Sequence, residues 1–179
     1  MAGAPPSADP GAKAPWWPVS TVKFTVMTLG TLGIYHLYWL YDNWKRMRAA
    51  GAAIGSPFWR TFFAPFTAFG LFEKVRRDAQ LHVVKTWWSA PGLALVYLVC
   101  NVALLVSAPT WLAGPLLLLP VLPVQLTMGR VNDAVAPGTE RDGRFSVSNL
   151  VILALGLAIT FALYRSEQLV DQLYQEWTP

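Results

Sequence analysis

Six polar residues carry most of the chemistry available to this sequence: Asp42, Asn43, Arg60, Arg130, Asn132 and Asp133. All but Arg60 stand at the ends of long apolar runs, as does Asn149. Carboxylates and amides set among arginines at such an edge can hold an ion, a lipid headgroup or a partner's polar group, because hydrogen bonds involving charge are the strong ones. The structural alternative is that Asp42 and Asp133 pair with nearby arginines while Asn132 and Asn149 cap helix ends or turns. Arg60 stands inside an aromatic run. An arginine drawn into a bilayer costs about 3 kcal/mol on insertion scales unless it snorkels or pairs, so it can reach a lipid phosphate, one of these carboxylates, or simply the headgroup level.

Other reactive side chains are few. His36, His82 and Cys100 do not make a conventional zinc set. A bis-histidine haem would need both histidines at one depth, which the layout below does not provide. His36 is expected to bond a neighbouring helix, and Asn101 to make an interhelical hydrogen bond of about 0.6 kcal/mol. The sequence has no phosphate-binding glycine loop, no HExxH and no GxSxG elbow. It implies no cofactor, no metal and no catalytic residue.

The elements that position these residues are apolar. Of 179 residues, 54% are hydrophobic, nine are tryptophan and 13% are charged. Soluble domains carry about 25% charged residues, so an outer surface facing lipid is expected. The net charge of +4 then belongs beside anionic lipid rather than nucleic acid. The lone cysteine excludes an intrachain disulfide. Residues 1–20 are rich in Ala, Pro and Gly and read as a disordered tail without a secretory signal. Residues 21–179 read as one helical membrane domain.

The expected fold is an all-α integral membrane protein with four transmembrane helices, at about 22–41, 91–106, 111–126 and 147–164. The first ends in Tyr35, Tyr38, Trp39, Tyr41 and Trp44, followed by Lys45, Arg46 and Arg48, an aromatic belt and basic cluster at a cytoplasmic interface. The segment at about 57–72 is short and contains Pro65, so it reads as a kinked interfacial or re-entrant helix. Residues 73–86, with Phe72, Val75, Ala79 and Val83 on one face, read as an amphipathic surface helix. Pro115, Pro120 and Pro123 should bend the third span, and the last helix should continue past Arg165 through Leu169, Leu173 and Trp177. In this layout eleven basic residues lie on one side, and Lys13, Lys23 and Arg165 on the other. Both termini are then non-cytoplasmic.

The stretches VSTVKF, TLGIYHLYWLYDNW, SPFWRTFFAPF, LPVQ and RVNDA, spread over about residues 18 to 150, resemble a group of small bacterial multi-pass membrane proteins classed under a domain of unknown function of the 4234-like kind. The resemblance implies the bacterial inner membrane and supplies no substrate, cofactor or site residue. Three functions stay open. The chain is a non-catalytic scaffold or partner-binding subunit acting through its basic cytoplasmic face, a subunit of an oligomeric channel or transporter, or a phospholipid-headgroup-binding or lipid-modifying protein. The expected partners are membrane lipids and a second copy or another membrane protein, with no nucleic acid.

Overall fold

The computed structural model describes residues 13–106 and 108–177. Residues 1–12 of the expected tail, and Ser107 between the second and third expected spans, lie outside them. Among the described residues the chain is all-helical, and two helices are long and apolar enough to cross a membrane.

Helix α1, Thr21–Gly30, starts at Ser20, whose hydroxyl accepts the Lys23 backbone N–H. This serine cap satisfies one of the open donors of the first turn. The helix stops because Leu32 and Gly33 adopt left-handed backbone angles (φ 52° and 82°) and the Gly33 N–H returns to the Thr28 carbonyl. Thr31 serves both sides of the break: its hydroxyl donates to Met27 O (2.7 Å) and accepts from Tyr35 N (3.0 Å). Helix α2, Ile34–Ala49, then runs back alongside α1. Trp17 N–H reaches Asn43 Oδ1 at 3.0 Å, and Phe24 packs on Trp39 with ring centres 5.3 Å apart.

The expected single span at 22–41 is therefore a helical hairpin, with both its ends at one end of the molecule. Hydropathy is continuous through the turn, so the apolar run gave no sign of it. Lys23, expected opposite the basic clusters, lies beside Arg144 and donates to its carbonyl (2.7 Å).

Helix α3, Pro57–Phe62, and α4, Ala64–Leu81, meet in a sharp turn at Phe63. The Thr67 hydroxyl donates to both the Phe63 and Arg60 carbonyls, a contact across seven residues that a straight helix does not allow. The bend expected from Pro65 is thus present, one residue before the first turn that this proline occupies.

A separate surface helix at 73–86 is not formed. Residues 73–81 continue α4, and Phe72, Val75 and Ala79 are fully buried, because α5 and α6 cover that face. Val83 has left the helix, with φ 58°, and is exposed.

Helix α5, Ala90–Val106, and α6, Ala113–Val135, form an antiparallel pair joined through a 3-10 turn at Thr110–Leu112. Trp88 Nε1 donates to Thr127 Oγ1 at 3.0 Å, which sets their register. Helix α6 passes through Pro120 and Pro123, and the Thr127 hydroxyl bonds the Pro123 carbonyl. It is the central helix, touching α1, α4 and α5. Helix α7, Val147–Trp177, lies outside this core. Ser146 and Asn149 cap its start reciprocally, Asn149 Oδ1 accepting from Ser146 N and Ser146 Oγ from Asn149 N. It crosses α1 where Gly156 meets the Gly30 carbonyl, and the helix continues past Arg165 as expected. The side chains of Leu173 and Trp177 are outside the described part.

Candidate functional site

Two of the six candidate residues converge on the segment expected to be a tail. Trp16, Trp17, Pro18 and Val19 run without helix between α2 and α6, and Trp16 and Val19 are core residues at 1% and 2% exposure. Proline at 15 and 18 biases the preceding residues to extended angles, so their backbone groups find no helical partner. Buried backbone groups must still be bonded, and three side-chain amides do this. Asn132 Oδ1 accepts from Trp16 N and Asn132 Nδ2 donates to Trp16 O, each at 3.0 Å. Asn43 Oδ1 accepts from Trp17 N, and its Nδ2 donates to Trp39 O. Gln125 Nε2 donates to Val19 O (2.9 Å) while its Oε1 accepts from Trp39 Nε1 (2.6 Å).

The next residues pair with the loop before α7. Ser20 N donates to Asp142 O, and Asp142 N to Pro18 O. Lys23 Nζ, almost fully buried, lies 2.8 and 2.9 Å from the two Asp142 carboxylate oxygens. The ammonium has three acceptors, two from the carboxylate and one from the Arg144 carbonyl, which is what a buried charge requires.

The four charged candidates are not brought to one point. Asp42 pairs with Arg46 one turn on, and Asp133 with Arg141 across the loop. Arg130 is exposed and forms no ion pair among the described residues. The Arg60 guanidinium lies 4.7 Å from the Trp44 ring centre and donates to the Ile54 carbonyl. This stacking offsets part of the cost of an arginine among aromatics.

His36 is buried, with Nε2 2.7 Å from the Tyr97 hydroxyl of α5 and Nδ1 on the Gly33 carbonyl. His82 is exposed beyond the end of α4, so the two are not at one place. Asn101, expected to bond a neighbouring helix, instead donates to Tyr97 O one turn back in its own helix. Among the described residues no three His, Cys, Asp or Glu side chains are grouped as a metal would need. Sequence reasoning missed Trp16 and the Lys23–Asp142 pair. The adjacent tryptophans were the available signal, since two such rings seldom stand idle in water.

No family model, curated protein or solved structure matches the chain, so the site rests on its own residues.

Proposed function

We propose that the chain is a non-catalytic integral membrane protein whose basic end holds a protein partner. The observation that carries the membrane part is α7. It presents Leu150, Val151, Leu155, Leu157 and Phe161 outward, and of residues 147 to 164 only Gly156 is buried in the protein. Apolar surface on this scale is unfavourable in water by about 25 cal/mol per Å² and neutral in hydrocarbon. Helix α7 has 31 residues and spans about 46 Å, longer than a hydrocarbon core of about 30 Å.

On this reading α5, α6 and α7 cross, and the α1–α2 and α3–α4 hairpins enter and return. Lys13 and Lys23 then join the basic side and Arg165 stays opposite, a stronger positive-inside asymmetry than four spans give. The N-terminus is cytoplasmic and the C-terminus is not, which replaces the placement of both termini outside. The resemblance of residues 18 to 150 noted in the sequence is what supports reading this membrane as the bacterial inner one.

The non-catalytic part is supported by how the polar candidates are used. Asn43 and Asn132 bond backbone, Asp42 and Asp133 bond arginines, and Arg60 covers a tryptophan. Lys45, Arg48 and Arg130 are left exposed on the basic end. A channel would need Asn101 and Gln125 along a common path, whereas Gln125 is occupied by Trp39 and Val19 and Asn101 by its own helix.

Orientation is tested by single cysteines at 13, 85 and 165 in a Cys100→Ser background. Lys13→Cys and Lys85→Cys are expected to react with an impermeant thiol reagent from one side, and Arg165→Cys from the other. Labelling of 13 and 85 from opposite sides would restore a full crossing at 22–41. The function is tested by native mass spectrometry of protein gently extracted from its own membrane. A second protein at fixed stoichiometry is expected, and its loss when Lys45, Arg48 and Arg130 all become glutamine. A stoichiometry unmoved by those changes would overturn the basic-end reading.

A further inference from the structure

The α1–α2 hairpin and the start of α7 enclose a cleft that changes character along its depth. Its mouth, about 520 Å³, is lined by Lys23, Asp142, Arg144, Ser146 and the aromatic residues Trp17, Tyr35 and Tyr38. Below it lies an apolar slot of about 350 Å³, bounded by Met27, Ile34 and Ile152. The two share Tyr35, Tyr38 and Asn149, so they are one path. Each volume lies within the roughly 300–1,000 Å³ typical of small-molecule sites.

From this geometry we propose that the cleft binds an anionic phospholipid, with the phosphate at the mouth and one acyl chain in the slot. The charge at the mouth decides the headgroup. Lys23 and Asp142 neutralise one another, which leaves Arg144, whose side chain makes no ion pair among the described residues. A guanidinium at an aromatic-lined mouth suits a phosphodiester, which it binds through two parallel N–H groups. The slot decides against a free phosphate: it offers carbon atoms and ring faces directly beneath the charged group, at the depth where a chain would follow. The site is separate from Arg60, Asp42 and Asp133. The proposal rests on the membrane reading above, and the cysteine labelling there tests that reading by itself.

The test uses full-length protein in nanodiscs of phosphatidylcholine containing a minor share of phosphatidylglycerol, with bound lipid quantified after transfer to mild detergent. One phosphatidylglycerol is expected to stay with each wild-type chain. Arg144→Gln is expected to lower its retention about tenfold or more, the loss of one charge-assisted contact. Ile152→Trp, which fills the slot, should lower retention of phosphatidylglycerol and phosphatidylcholine alike. Arg165→Gln, an exposed arginine that lines neither part of the cleft, should change nothing. Circular dichroism and chromatography identify any variant that has failed to fold. Equal retention by folded wild type, Arg144→Gln and Ile152→Trp would overturn the proposal. Complete displacement of the lipid by soluble glycerophosphate, which has no chain, would overturn it too, as would a lipid-free dimer closed across the cleft.

Discussion

Asn132→Leu is expected to destabilise the protein by about 2–6 kcal/mol, because two buried backbone groups of Trp16 lose their partner at about 1–3 kcal/mol each. The side chain is 4% exposed and bonds Trp16 N and O at the same time. Leucine keeps the volume, so most of the change is in hydrogen bonding and little in packing. Asn132→Asp keeps the acceptor for Trp16 N and sets a carboxylate oxygen against the Trp16 carbonyl, so it should also be clearly destabilising. Asn101→Leu is the control. Its amide bonds only one carbonyl of its own helix, and the expected loss is about 0.6 kcal/mol. Thermal unfolding of the purified proteins in one detergent gives the ranking. A protease acting at residues 13–20 gives a second readout, since the freed segment should be cut in Asn132→Leu and not in Asn101→Leu. If the two leucine variants melt together and resist the protease equally, the amide clamp does not hold the segment.

Legibility differs between the two halves of the molecule for a physical reason. The run expected at 91–106 is the helix Ala90–Val106, and the one expected from 147 starts at Val147. Length and hydropathy specify such helices locally. The α1–α2 turn was hidden because a hairpin whose two arms are both apolar has the same hydropathy as one span. Its signal was local stereochemistry: Thr31 able to cap in both directions, and Gly33 able to take a positive φ against Leu117. Asn43 and Asn132 were recognisable as polar groups at one level. Their partners were not, because Trp16 and Asn132 are 116 residues apart and the segment's alanine and proline content resembles a tail. Val83 leaves the expected apolar face, whereas Phe72, Val75 and Ala79 do share one face of α4. What covers it, α5 and α6 rather than lipid, is a tertiary fact that periodicity does not contain.

The clamp and the hairpin belong to one design. On the membrane reading proposed above, the α1–α2 hairpin leaves its connecting turn at depth, where unbonded backbone groups are costly. Thr31 and the Gly33 N–H satisfy that turn from within, and His36 ties α2 to α5 through Tyr97. At the other end, the amides of α2 and α6 fix the chain entering α1, and Asp142 fixes the chain entering α7. The polar residues thus hold the irregular backbone in place.

Gly156→Ala is expected to release α7 from α1 almost as completely as Gly156→Leu. A Cβ at this position collides with the carbonyl oxygen of Gly30, and the atoms next in reach are also backbone, Gly30 C and Thr31 Cα. Backbone has no alternative rotamer, and Gly30 is held by the turn that follows it, so the helix must move. Small residues at such a crossing are what allow two backbones to approach. Overpacking by one methyl costs about 1–3 kcal/mol, which corresponds to a shift of roughly 5–150-fold between docked and undocked α7. Beside the crossing Leu153 packs at Gly30, and the ties further along are peripheral: Trp111 against Tyr164, and Thr110 N on the Glu167 carboxylate at 3.1 Å. Alanine also favours the helix itself, by about 1 kcal/mol over glycine. Helicity should therefore hold or rise while docking falls, which separates this effect from unfolding. Cysteines at 110 and 167, in a Cys100→Ser background, report docking through a short thiol crosslinker. Wild type and the exposed control Ala154→Leu should crosslink well, and both Gly156 variants poorly at unchanged circular dichroism. Crosslinking of Gly156→Ala at the wild-type level would mean that α7 does not seat on α1, and the cleft between them would then lose the wall that makes it a site.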